Sequence, residues 1–228
     1  MPSTSFQGFL QALDEVTDLG KASHPHFGPK APESLRVARA IARAQIVLLS
    51  SHLERYIYAV NEEVIALLNK EQIHGDKLPE QLRLLHSKLS TDAIGEMKWE
   101  NWAAKLGSFV ADEGWFWTIG ASGVLGHDRI LAWMKLPKPD SLIRYYRYWG
   151  IEDIFKMVTK TQNTRASPPL SIQGLVDLRN NIAHGDFSVQ ATESDVRLYM
   201  SKARLFCERA DRALSKRLAS LYNFPRPW

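Results

Sequence analysis

Residues 34–70 read SLRVARAIARAQIVLLSSHLERYIYAVNEEVIALLNK and contain neither proline nor glycine. Ile41, Leu48, Leu49, Leu53, Ile57, Val60, Val64 and Leu67 recur at intervals of three, four and seven. That is the period of one helix face, so the stretch predicts a single long helix that crosses the whole domain.

The pattern extends in both directions. Upstream, Phe6, Phe9, Leu10, Leu13 and Val16 follow Ser3-Thr4-Ser5 at helical spacing and predict a first helix ending near Gly20. The segment His24-Pro25-His26-Phe27-Gly28-Pro29-Lys30-Ala31-Pro32 reads as a linker. Downstream, Ile73-His74-Gly75-Asp76 predicts a turn, and residues 79–90 a short helix with Leu82, Leu85 and Leu89 inward. Five of the seven tryptophans fall between Trp99 and Trp133, among Gly107, Gly114, Gly120, Gly123 and Gly126. Large anchors mixed with flexible joints suggest an inserted helical hairpin or lid. Residues 141–149 form a short aromatic helix closed by Gly150, and Pro168-Pro169 ends a polar link before a motif helix over 171–184. A last helix over 193–220 opens with Thr192 and Asp195 at capping-box spacing. Strand alternation is absent, so the expected class is all-α.

Along the motif helix at 100° per residue, Leu178 and Ile182 lie beside Leu175, while Asp177, Asn180 and His184 share the opposite side. Arg179 sits at the edge of the apolar face, about 140° from His184 in a straight helix. Two arrangements would bring them together: a left-handed Gly185 cap that frees the imidazole, or a two-fold partner that supplies the other half of a site. An arginine offers a permanently charged, forked donor to phosphate, and a histidine exchanges protons near neutral pH. Together they suit phosphodiester chemistry. The same residues also have a plain structural reading, with His184 favoured by the helix dipole and Arg179 lying along the apolar edge beside an acid such as Glu54 or Asp177.

Composition narrows the choice. With 45% hydrophobic and 24% charged residues the chain is ordinary for a globular protein, and no apolar run reaches the length of a membrane span. The start Met1-Pro2-Ser3-Thr4-Ser5 lacks the order of a secretory signal, so a cytoplasmic location is expected. Cys207 is the only cysteine, which rules out an intrachain disulfide and a cysteine-based zinc site. The net charge of +4 is uneven: residues 144–228 hold 14 basic against 8 acidic groups, and residues 1–143 hold 15 against 17. A basic half that contains the Arg/His pair suits attraction of a polyanion, and a solvated basic surface would look the same. Phosphate-loop, nucleophile-elbow and His-Glu-x-x-His patterns are missing, and His24/His26 lack a third ligand nearby. No metal or cofactor is expected.

The string Leu178-Arg179-Asn180-Asn181-Ile182-Ala183-His184-Gly185-Asp186, preceded by an apolar helix and followed by a polar loop and a long helix, resembles the HEPN superfamily, specifically its prokaryotic ribonuclease and toxin branch. The resemblance covers about the last quarter of the chain, and the helix of 34–70 looks like the family's early helix; nothing in 71–165 maps. It implies an all-α, HEPN-like helical bundle with a long central helix, a two-fold homodimer, and cleavage of RNA without metal through Arg179, Asn180 and His184. It further implies a toxin–antitoxin or phage-defence setting with an antitoxin protein as partner. Some members of the superfamily are instead non-catalytic modules that bind RNA, a nucleotide or a protein.

One domain is expected over 1–228, with an N-terminal helix and linker (1–33), a Trp/Gly-rich insertion (95–136), and the motif and C-terminal helices (168–220). Glu54, mid-way along the long helix, would pair with Arg179 or orient His184 if the two helices pack, with Asp177 in a similar supporting place. Arg144 and Arg147 alternate with Tyr145, Tyr146, Tyr148 and Trp149. Such interleaving can stack bases and hold an RNA backbone, or the rings can be core. Arg36, Arg39 and Arg43 make a stripe best read as a solvated face.

Overall fold

The computed structural model describes residues 1–21, 32–95, 99–159, 161, 165–186 and 188–228. The class is all-α. In order the helices are α1 (Thr4–Lys21), α2 (Pro32–Lys70), α3 (Glu80–Gly95), α4 (Trp99–Glu113), α5 (His127–Leu131), α6 (Pro139–Tyr148), α7 (Ile154–Val158), α8 (Ser167–Ala183) and α9 (Glu193–Tyr222). Short 3-10 turns occupy Gly75–Lys77 and Gly114–Trp117. Among the described residues the only bridge between extended segments joins His74 to Ser122. The His24/His26 loop lies outside the described residues.

The 39-residue α2 packs on α1, α8 and α9. Three long-range contacts set the directions. Tyr56 donates to the Cys207 carbonyl at 3.2 Å, which aligns α2 with α9 in parallel. Ser3 reaches Asp211 while Gln45 donates to the Val16 carbonyl at 2.7 Å, so α1 runs against both. Ser167 and Pro168 lie with Leu205 and Phe206, and Gly174 lies under Tyr199, so α8 runs against α9.

Leu49, Leu53, Ile57, Val60 and Val64 are buried as their spacing predicts, whereas Ile41, Leu48 and Leu67 are only half-buried. Ala42, Ile46, Tyr56, Ile65 and Leu68 are also buried. The buried stripe is wider than one helix face because α2 touches neighbours on several sides. On α1 the buried set is Phe6, Phe9, Leu13 and Val16. The motif helix begins four residues earlier than its proline pair suggested. Pro168 and Pro169 occupy its first turn, where the missing N–H has no intrahelical partner to lose. Thr192 and Asp195 form the complete capping box at the start of α9.

The Trp/Gly-rich segment is docked, not detached. Asn69 of α2 brackets Leu125, donating to its carbonyl at 3.0 Å and accepting its N–H at 2.8 Å, and Asn61 donates to the His127 carbonyl at 2.8 Å. Within it, buried Glu113 accepts from Arg129 and lies 3.8 Å from Nδ1 of buried His86. The other imidazole nitrogen, Nε2, accepts the Gly126 N–H at 2.9 Å. α3, α4, α5 and the glycine loop therefore meet at one polar cluster.

Candidate functional site

Residues 179–186 form a complete C-terminal cap. The His184 N–H donates to the Asn180 carbonyl at 2.9 Å, the Gly185 N–H to Ile182 at 3.1 Å, and the Asp186 N–H to Asn181 at 3.1 Å. With Gly185 at φ +78 this is a Schellman motif, which satisfies the last carbonyls of α8. Of the two arrangements the sequence allowed, the left-handed glycine is thus present. His184 stands at the cap itself and is exposed, while Leu175 and Val176 of the same helix are buried.

Arg179 is half-buried, and its Nη1 donates to the Asn180 side-chain oxygen at 3.1 Å. That bond restrains the guanidinium and leaves its remaining N–H groups available to an anion. Asn180 and His184 are one turn apart in sequence along the end of α8, and Arg179 and His184 make no hydrogen bond with each other. One chain therefore presents the three groups within the last turn and cap of one helix.

Beyond the cap, Asp186 accepts from the Ser188 N–H at 2.9 Å and from its hydroxyl at 2.6 Å. These bonds hold the Asp186 carboxyl below the usual carboxylate range, with a smaller contribution from the nearby Arg43 charge. Arg43 belongs to the stripe read as a solvated face. Its half-buried place near the motif loop is set by how α2 crosses α8.

Neither supporting acid is bonded to Arg179 or His184 among the described residues. α2 does pack on α8, but Glu54 makes no hydrogen bond or ion pair with Arg179 or His184 among the described residues; its charge acts instead on Tyr58, one turn along α2. Antiparallel packing puts the Arg43 level of α2, not the Glu54 level, at the motif end. Asp177 is exposed and accepts from Gln173 at 2.7 Å, one turn back on α8. It also lies near Tyr199 of α9, whose hydroxyl is pushed up chiefly by burial and then by Asp195 and Asp177.

Arg144 and Arg147 are exposed, but the rings between them are core: Tyr145, Tyr146, Tyr148 and Trp149 are all buried. Arg144 donates to the Tyr148 hydroxyl at 2.7 Å and lies over the Trp133 ring at 4.1 Å, and Arg147 donates to the Glu152 carbonyl at 3.0 Å. The stacking platform for bases that the interleaved sequence allowed is therefore missing at these rings. Among the described residues no three His, Cys, Asp or Glu side chains cluster as metal ligands, and no helix is long and apolar enough to cross a membrane.

Fold and site together define an all-α protein with an Arg/Asn/His group at a capped helix end. Comparison with protein-family models, with curated proteins and with solved structures finds no match.

Proposed function

We propose that the protein is a metal-independent endoribonuclease of HEPN type that works as a two-fold dimer in toxin–antitoxin or phage defence. The observation that carries this reading is the display of Arg179, Asn180 and His184 at one exposed helix end, with Arg179 restrained by its neighbour. In such a reaction the 2′-hydroxyl of RNA attacks the adjacent phosphorus and the new P–O2′ bond forms as the P–O5′ bond breaks. The products are a 2′,3′-cyclic phosphate and a 5′-hydroxyl. One His184 imidazole removes the 2′-hydroxyl proton or protonates the leaving oxygen, the partner subunit's His184 does the other, and Arg179 stabilises charge on the phosphoryl oxygens. Asn180 keeps Arg179 in place. In a dimer, two antiparallel motif helices would bring both sets of groups into one basic cleft.

A non-catalytic module binding RNA, a nucleotide or a protein is the second reading. It is favoured by the exposure of the motif end, where His184, Gly185 and Asp186 all face solvent. Incubation of mixed RNA with the protein in EDTA, beside Arg179→Ala and His184→Ala, separates the two. Cleavage by wild type alone with cyclic-phosphate ends supports the nuclease. Intact RNA, or equal cleavage by all three, rejects it.

A further inference from the structure

Two cavities open along the seam between α1 and α9, one of about 390 Å³ and one of about 550 Å³. Leu10 and Arg204 line both, so together they make one groove. Arg197, Arg204 and Arg212 project into it from α9, and Arg226 joins them from the segment after that helix. From Arg197 to Arg212 the helix rises roughly 22 Å at 1.5 Å per residue. The groove is thus longer than a single small anion needs.

Its four arginines are not equivalent. Arg197 is bonded to Glu193 at 2.7 Å and Arg212 to Glu208, each one turn back on α9. Arg204 and Arg226 are exposed and have no acidic partner among the described residues. The acids on the walls are Asp14, Glu208 and Asp211; Glu208 is the one paired with Arg212, and Asp211 is buried and bonded to Ser3. The unpaired positive charge of the groove therefore sits on Arg204 and Arg226, above apolar surface from Phe6, Leu10 and Trp228, while Asp14 stands without an ion pair among the described residues at the Arg197 end.

We propose that the α1–α9 groove holds the backbone of single-stranded RNA, with Arg204 and Arg226 as its phosphate anchors; this rests on RNA being the substrate. Unpaired, flexible guanidiniums along a groove suit a backbone, whose charge is the same for every base sequence. One end of the groove lies where Thr17 of α1 meets Met200 of α9 at 3.8 Å. Tyr199, one residue away, lies against Gly174 of the motif helix. This end of the groove therefore lies across α9 from the middle of the motif helix, with Gly174 ten residues before His184. The groove shares no residue with Arg179, Asn180 and His184, so a strand is held apart from the reacting groups and binding and cleavage are separable.

The test uses a fluorescein-labelled 2′-O-methyl uridine oligomer, which lacks the attacking hydroxyl and stays intact. Its binding to the full chain in EDTA is followed by anisotropy between about 50 and 200 mM salt. Arg204→Ala/Arg226→Ala is expected to bind about tenfold more weakly or worse. Its plot of log affinity against log salt should be shallower by about 1.4, roughly 0.7 for each single-strand phosphate that is no longer neutralised. Arg204→Lys/Arg226→Lys should keep most of the wild-type slope. Equal affinity and slope for wild type and the alanine pair would overturn the groove, as would no binding by wild type. Tighter arginine-dependent binding of labelled poly-glutamate would assign the groove to an acidic protein segment instead. Groove-dependent binding without cleavage of natural RNA would leave the groove standing and remove the nuclease; cleavage with groove-independent binding would do the reverse.

Discussion

Tyr199 of α9 lies directly over Gly174 of α8, so closely that a Cβ at position 174 would be 2.8 Å from the tyrosine oxygen. The contact as it stands requires that position 174 have no side chain. Gly174→Ala should therefore destabilise the protein by about 1–3 kcal/mol, as overpacking does, despite the better helix propensity of alanine. In a Tyr199→Phe background the cost should shrink, because the closest atom is gone. Urea unfolding of the four proteins in the cycle measures the coupling; a cost that is the same in both backgrounds would show that the contact does not set the packing.

Gly185 faces open space, so a substitution there meets no atom within 4 Å and feels only its backbone angle of φ +78. Gly185→Ala should cost about 1–2 kcal/mol from the left-handed conformation alone. Thermal unfolding reads the loss. If the protein cleaves RNA as proposed, cleavage should fall as well, because the cap that presents His184 would loosen.

Asn180→Ala removes the acceptor that holds Arg179 Nη1. If Arg179 stabilises charge in the reaction, kcat should drop by roughly 10–100-fold with stability little changed. Arg179→Lys should be nearly as damaging, because a lysine cannot hold Asn180 and a phosphate with a planar fork. Single-turnover cleavage by the two variants tests this; wild-type rates in both would remove Arg179 from the chemistry.

His86 should make the middle region acid-sensitive. Burial, and then the Arg129 charge, lowers its pKa from the usual 6.5, with Glu113 acting in the opposite sense. A histidine whose pKa is lower when folded binds fewer protons in the native than in the unfolded state, so its stabilisation is full above about pH 6.5 and declines as pH falls through the folded value. Protonation of Nε2 would also end its role as acceptor for the Gly126 N–H. Tryptophan emission reports on this region, because Trp115 and Trp133 pack against the core there. Its thermal midpoint should fall between neutral pH and about pH 5, and His86→Gln should flatten that dependence. An identical pH profile in the variant would clear His86.

Several features were legible in the chain itself because the physics behind them is local. The absence of Pro and Gly over 34–70, and apolar residues spaced for one face, determine a helix whatever surrounds it. The glycine after His184 and the Thr192/Asp195 pair act within a few residues, and both caps form as spaced. Pro168 and Pro169 misled only about the exact start of α8, since proline is as comfortable in a first turn as in a link.

What the tertiary structure alone decided is which distant groups meet. Glu54 and Arg179 stay apart and Arg43 comes near Asp186 because α2 and α8 run in opposite directions, a choice no local pattern records. The rings among Arg144 and Arg147 became core because α6 turns them inward. His86, Glu113 and Gly126 are separated in sequence, and their meeting depends on three helices docking together. The α1–α9 groove likewise joins the two ends of the chain. Helix periodicity is set by neighbours three and four residues away, whereas a shared site is set by helix direction and crossing, which only the packed bundle fixes.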